Sequence, residues 1–181
     1  MARPAVIHIF GASGSGTTTL GRAVAETYGY THLDTDDFYW ETTDPPYQEA
    51  RDISARRQLM SAAMDQAGPC VVSGALSGWG DVFRPRFDLV IYLFTPTDIR
   101  VERLRKREAG FFGDRISPGG DMYEHHLNFL EWASAYDEGG PDMRSARRHA
   151  AWLDQMPCPV LSFDGTSSCE ENLAHLAPYL I

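Results

Sequence analysis

A chain of 181 residues is long enough to bury one core and short for two ordinary domains, and its 43% hydrophobic and 23% charged content marks a folded protein. A net charge of -9 argues against a nucleic-acid partner, because such binding neutralises backbone phosphates with Lys and Arg. Cys70, Cys158 and Cys169 show no C-x-x-C spacing, and no apolar run approaches the roughly 18 residues that cross a bilayer. The expectation is one cytoplasmic domain over residues 1–181, without a membrane anchor.

Val6 to Phe10 opens the chain as an apolar strand, and Cys70 to Ser73, Leu89 to Phe94 and Pro159 to Phe163 read the same way. Thr31 to Asp34 is a more polar fifth. Helical stripes lie between them: Leu20, Ala23, Val24 and Tyr28 early, then Leu173, Leu176 and Leu180 near the end. Strand alternating with helix predicts an α/β domain on a parallel sheet. Two stretches break the alternation. Phe38 to Gly68 carries an aromatic cluster and Asp44-Pro45-Pro46 before a helix around Ile53, Leu59, Met60 and Ala63, and is expected to handle an acceptor. Ala109 to Asp121, rich in Gly and Phe, is expected to form a mobile lid.

Gly11-Ala12-Ser13-Gly14-Ser15-Gly16-Thr17-Thr18 follows the first strand and opens a helix, and keeps every fixed position of G-x-x-x-x-G-K-[ST] except the lysine. Glycines there let backbone N–H groups turn inward, where they and the helix N-terminus hold phosphate oxygens. Gly11, Ser13, Gly14, Ser15, Gly16, Thr17, Thr18 and Thr19 are therefore the expected nucleotide contacts. Thr18 matches the hydroxyl that reaches Mg²⁺. Thr17 stands in the lysine's place, and Lys106 is the sole lysine beside fifteen arginines, so cationic chemistry falls to guanidinium groups.

Asp34-Thr35-Asp36-Asp37 ends the second strand, on the carboxyl edge where open α/β sheets bind ligands. Asp34 is expected to hold Mg²⁺ and Asp36 to accept a proton from the attacking hydroxyl, with a polar turn as the alternative. Tyr39, Trp40, Gly74 and Trp79 face the same crevice as candidate acceptor contacts; aromatics so placed also simply cover a sheet edge. Arg100, Arg103 and Arg107 fall on one face of a helix beginning near Thr97, suited either to clamping a triphosphate or to a solvated surface. Arg144, Arg147 and Arg148 form a second cluster, of which Arg144 and Arg148 are expected to meet the acceptor. Gly165, in the turn after the last strand, borders the expected nucleotide base. His125 and His126, with Asp121 and Glu124, lack a recognised metal-ligand spacing.

These motifs together resemble the P-loop small-molecule kinases, the group of shikimate, gluconate, nucleoside and nucleoside monophosphate kinases. Gly11 to Thr18 resembles their nucleotide loop, Asp34-Thr35-Asp36 the D-x-D of shikimate and gluconate kinases, and Leu89 to Arg107 their strand and lid helix. The resemblance implies a five-stranded parallel sheet with helices on both faces and a lid. It implies ATP and Mg²⁺, transfer of the γ-phosphoryl group to a small metabolite, and catalytic roles for Asp36, Arg103 and Arg107. The charge missing at Thr17 is expected from Arg103 and Arg107 on the closing lid. Alternatives are a nucleoside monophosphate kinase or a nucleotide-binding protein without efficient turnover, acting as monomer or homodimer. A dinucleotide-binding oxidoreductase fits less well, because Gly11, Gly14 and Gly16 are not spaced G-x-G-x-x-G.

Overall fold

The computed structural model of the protein describes residues 3–140 and 142–180. Strands β1 (Val6–Gly11), β2 (Thr31–Asp34), β3 (Cys70–Ser73), β4 (Leu89–Phe94) and β5 (Val160–Asp164) form one sheet in the order β2-β3-β1-β4-β5. Every pairing is parallel. The helices are α1 (Thr17–Tyr28), α2 (Thr35–Tyr39), α3 (Ile53–Ala67), α4 (Thr97–Phe112), α5 (Tyr123–Ser134), α6 (Ala146–Leu153) and α7 (Cys169–Leu180).

The two-residue period of β1 sorts its side chains into two cores. Ile7 and Ile9 pack with Leu20 and Val24 of α1 and with Leu176 and Leu180 of α7. Phe10 packs on the opposite face with Met60 and Met64 of α3 and Trp152 of α6. His8 shares that face, fully buried and stacked on Phe87 at 4.8 Å, and desolvation lowers its pKa to about 4. It is a neutral core residue. Coverage on both faces explains why β1, β3 and β4 are mostly apolar. The edge strands β2 and β5 are only partly covered, which is why Thr31 and Ser162 tolerate polar side chains.

Strand β5 begins at Val160, one residue past the expected Pro159, and runs on to Asp164. Residues 35–39 form a short helix, α2, which Asp34 caps by accepting a hydrogen bond from the Asp36 N–H at 3.1 Å. The stretch 109–121 begins inside α4, which continues to Phe112 before a 3-10 turn over Gly113–Ile116. It is the tip of an arm made by α4 and α5, whose seam is Val101, Leu104, Leu130 and Ala133. No helix among the described residues is long and apolar enough to cross a membrane.

Candidate active site

Sheet order places the carboxyl end of β1 between β3 and β4, and the loop leaving β1 opens the crevice there. Gly14 and Gly16 have φ of 84° and 96°, in the left-handed region that glycine alone adopts without strain. A Cβ on Gly14 would lie 2.7 Å from the Arg100 carbonyl oxygen. Helix α1 starts with no side-chain cap and no acidic residue in its first turn. Its first amides therefore lack partners from a cap, and a helix N-terminus in that condition fits a phosphate.

Thr18 and Asp34 meet beside this loop, the Thr18 hydroxyl donating to Asp34 Oδ2 at 2.9 Å. Both are hard oxygen donors of the kind Mg²⁺ prefers when waters complete its shell. Among the described residues no cluster of three His, Cys, Asp or Glu side chains supplies a ready-made metal cage.

Asp36 follows Asp34 by half a helical turn, and its charged neighbours include Asp34, Asp37, Arg107 and Arg144. Water reaches it, but the protein crowded round it raises its pKa by desolvation first and by Asp34 second. Arg144 and Arg107 oppose that rise. An aspartate biased toward protonation beside two guanidinium groups is equipped to take and release a proton.

Aromatic rings cluster beside Asp36, beyond the end of β2. The Arg56 guanidinium lies 3.7 Å over the Tyr39 ring, Trp40 meets Tyr39 edge-on at 4.8 Å, and Tyr47 meets Trp40 at 6.1 Å. Main-chain bonds from Glu41 N–H to Glu49 C=O and from Arg51 N–H to Tyr39 C=O close residues 39–51 into a loop. Arg115 reaches from the tip of the arm to Asp44 in that loop at 3.0 Å, and holds Asp121 with its other nitrogens. Arg51, Arg56, Tyr47 and Arg115 carried no signal in the sequence, since each acquires meaning only from a distant partner.

Two expectations need correction, those for Trp79 and Arg100. Trp79 is 3% exposed and spends its N–H on the Ala75 carbonyl, so it belongs to the core cluster. Gly74 serves the backbone: at φ 107° it lets the turn after β3 approach Thr35, whose Oγ1 would sit 2.0 Å from a Cβ there. Arg100 does not share a solvent face with Arg103 and Arg107. It is fully buried, donating to the carbonyls of Thr95, Ser13 and Ala133 and to Thr97 Oγ1. It braces the nucleotide loop from behind.

Arg103 donates to the Gly165 carbonyl at 2.9 Å and lines a cleft of about 300 Å³ with Gly16, Thr19, Gly165 and Asn172. Gly165 itself leaves no room for a side chain, because Thr95 Oγ1 would lie 2.0 Å from a Cβ there. Arg107 is 62% exposed, close to Glu108 and the Phe129 ring and on the Asp36 side of the arm. Arg148 packs its guanidinium over Gly78, and Arg144 lies 5.4 Å over the Trp132 ring. Neither makes a salt bridge among the described residues.

Residues 7–110 match the family described as AAA domain. The uncharacterized protein YqaC of Bacillus subtilis (strain 168) is 42% identical over 174 residues, covering 96% of both chains. A cytidylate kinase of Pyrococcus horikoshii is 32% identical over 117 residues, which span 58% of this chain and 58% of that protein. A shikimate kinase from Bacteroides thetaiotaomicron superposes with a TM-score of 0.60 at 15% identity, over 98% of each chain. That likeness is one of fold.

Proposed function

We propose that this chain, which belongs to the AAA domain family, shares the fold of a shikimate kinase and resembles cytidylate kinases over part of its length, moves the γ-phosphoryl group of ATP to a hydroxyl or phosphate of a small metabolite. The observation that carries the reading is the 2.9 Å bond between Thr18 and Asp34, which joins the nucleotide loop to the acidic run containing Asp36. Gly11, Ser13, Gly14, Ser15, Gly16 and the first turn of α1 at Thr17, Thr18 and Thr19 hold the phosphates. Arg103 and the turn at Gly165 flank the nucleotide in the adjoining cleft. Mg²⁺, held by Thr18 and Asp34, would neutralise charge on the phosphate oxygens.

On the acceptor side, Asp36 takes the proton of a substrate hydroxyl as its oxygen attacks the γ-phosphorus. The bond to the β,γ-bridging oxygen breaks and its electron pair leaves with ADP. Tyr39 and Trp40 wall the acceptor, and the unpaired Arg148 suits a carboxylate or phosphate on it. The net charge of -9 favours a small-molecule role over nucleic-acid binding, and we place the protein in the cytoplasm.

A second reading, a nucleoside monophosphate kinase, is favoured by the cytidylate kinase relatives. The acceptor oxygen is then a phosphate that carries no proton to remove at neutral pH, and Asp36 would only orient it. ATP consumption measured with Mg²⁺ against nucleoside monophosphates, nucleosides and sugar acids separates the two. Turnover with a hydroxyl acceptor that Asp36→Asn abolishes supports the first reading, and turnover with a monophosphate that the variant merely slows supports the second. ATP binding without consumption in any arm would overturn both.

A further inference from the structure

Thr17 occupies the position at which a P-loop kinase carries its lysine, so the phosphates in this loop meet a hydroxyl in place of an ammonium. The cations nearby are mostly committed. Lys106 pairs with Glu102 at 3.2 Å and is 75% exposed. Arg100 is buried under the loop with its donors on three carbonyls and a hydroxyl. Arg103 approaches Gly16 from the nucleotide cleft but gives a donor to Gly165. Arg107 is exposed toward Glu108.

Arg144 differs. It precedes Ser145, the residue that caps α6, and its guanidinium is seated against the Trp132 ring. It packs near Ser13 of the nucleotide loop, the two meeting with Arg100, Ala133 and Tyr136 around a gap too small to hold a water. Asp36 is its nearest carboxylate influence, yet among the described residues it makes no hydrogen bond and no salt bridge. A half-buried guanidinium without a partner, set between the phosphate loop and the proton acceptor, is poised for an anion that arrives with substrate.

Resting on the kinase function proposed above, we infer that Arg144 replaces the missing lysine by holding the γ-phosphoryl oxygens between Ser13 and Asp36. In the transfer, the acceptor oxygen forms its bond to the γ-phosphorus while the β,γ-bridging bond breaks toward ADP, and the acceptor proton passes to Asp36. Arg144 exchanges no proton; it neutralises the charge on the equatorial oxygens, as an arginine supplied within the same chain does in other nucleotide hydrolases. Specificity for a triphosphate follows, because only the γ-phosphate reaches this group.

The test is calorimetric titration of Mg²⁺ with AMP-PNP and, separately, with ADP into the wild-type protein, Arg144→Ala and the double variant Thr17→Lys/Arg144→Ala. Arg144→Ala is expected to weaken AMP-PNP at least tenfold while ADP changes less than twofold, and Thr17→Lys to restore the preference for the triphosphate. Should the alanine variant fail to fold, Arg144→Gln carries the same expectation. Equal effects on the two nucleotides, or no effect on either, overturn the inference and leave Arg144 to the acceptor. Turnover with an identified acceptor and an unchanged nucleotide preference in Arg144→Ala sinks this inference alone. The expected preference without phosphorylation of any acceptor sinks the kinase reading and leaves the γ-phosphate contact standing.

Discussion

The Thr18 hydroxyl donates a 2.9 Å hydrogen bond to Asp34 Oδ2, tying the first turn of α1 to the end of β2 although β3 lies between β1 and β2 in the sheet. Asp34 at the same time caps α2 through its other oxygen, so one carboxylate registers the nucleotide loop against the helix that bears Asp36. Thr18→Ala and Asp34→Asn are each expected to remove at least ~10-fold of the gain in ATP affinity that Mg²⁺ brings, leaving metal-free affinity little changed. Titrations with and without Mg²⁺ check this; an intact metal dependence in both variants would exclude the pair as its ligands.

Asp36→Asn is expected to lower transfer to a hydroxyl acceptor by roughly 10²- to 10⁴-fold with little change in ATP affinity. The same variant should melt higher than the wild type at neutral pH. Desolvation and Asp34 raise the pKa of Asp36 in the folded state, so the folded protein binds that proton more tightly than the unfolded chain. Its contribution to stability therefore falls as pH rises through the interval between the unfolded and folded values. Asparagine carries no such penalty, and the gain, about 0.5 kcal/mol because water still screens the site, fades as pH is lowered. Thermal unfolding across pH reads it, and a difference that grows on acidification would contradict the sign.

Arg107 and Arg144 both oppose the upward shift at Asp36. Arg107→Ala removes one of the two opposing charges, so the acidic limb of the pH–rate profile should move to higher pH. Nucleotide affinity should change little, since Arg107 is 62% exposed. A fall in affinity with an unmoved acidic limb would instead make Arg107 a clamp on the nucleotide.

Arg100 and Lys106 lie on the same helix with opposite expectations. Arg100→Ala strips donors from the carbonyls of Ser13, Thr95 and Ala133 in a fully buried site, and should cost about 3 kcal/mol or more. Lys106→Ala loses an exposed pair with Glu102 and should stay within ~0.5 kcal/mol, with turnover unchanged. Urea unfolding and ATP consumption measure both. A large loss of activity in Lys106→Ala would mean that the chain's lone lysine does reach the phosphates.

Local signals in the sequence reached far into the site. The run Gly11 to Thr18 needs positive φ at Gly14 and Gly16 and a helix start at Thr17, and each of these is a property of neighbouring residues. The strand pattern was equally legible, because β3 and most of β4 are buried between helices and are therefore largely apolar. Trp79 was misread as an acceptor contact for the opposite reason. Its aromatic character is the same in a core as at a binding wall, and only its burial and its N–H bond to the Ala75 carbonyl distinguish them.

Sequence by itself determined the phosphate loop, the acidic run at Asp34 and Asp36, and the parallel sheet that carries them, since spacing and hydrophobic period act over a few residues. Tertiary structure alone decided which arginine does what. Arg100, Arg103, Arg107, Arg144 and Arg148 are chemically identical in the chain, and their tasks separate only through burial and partners. Arg100 is enclosed by carbonyls, Arg103 is turned to the cleft beside Gly165, and Arg107 is left in solvent. Arg144 is carried from more than a hundred residues away to the side of Ser13. A guanidinium's role depends on which oxygens surround it, and those oxygens come from elements distant in sequence that only the folded chain brings together.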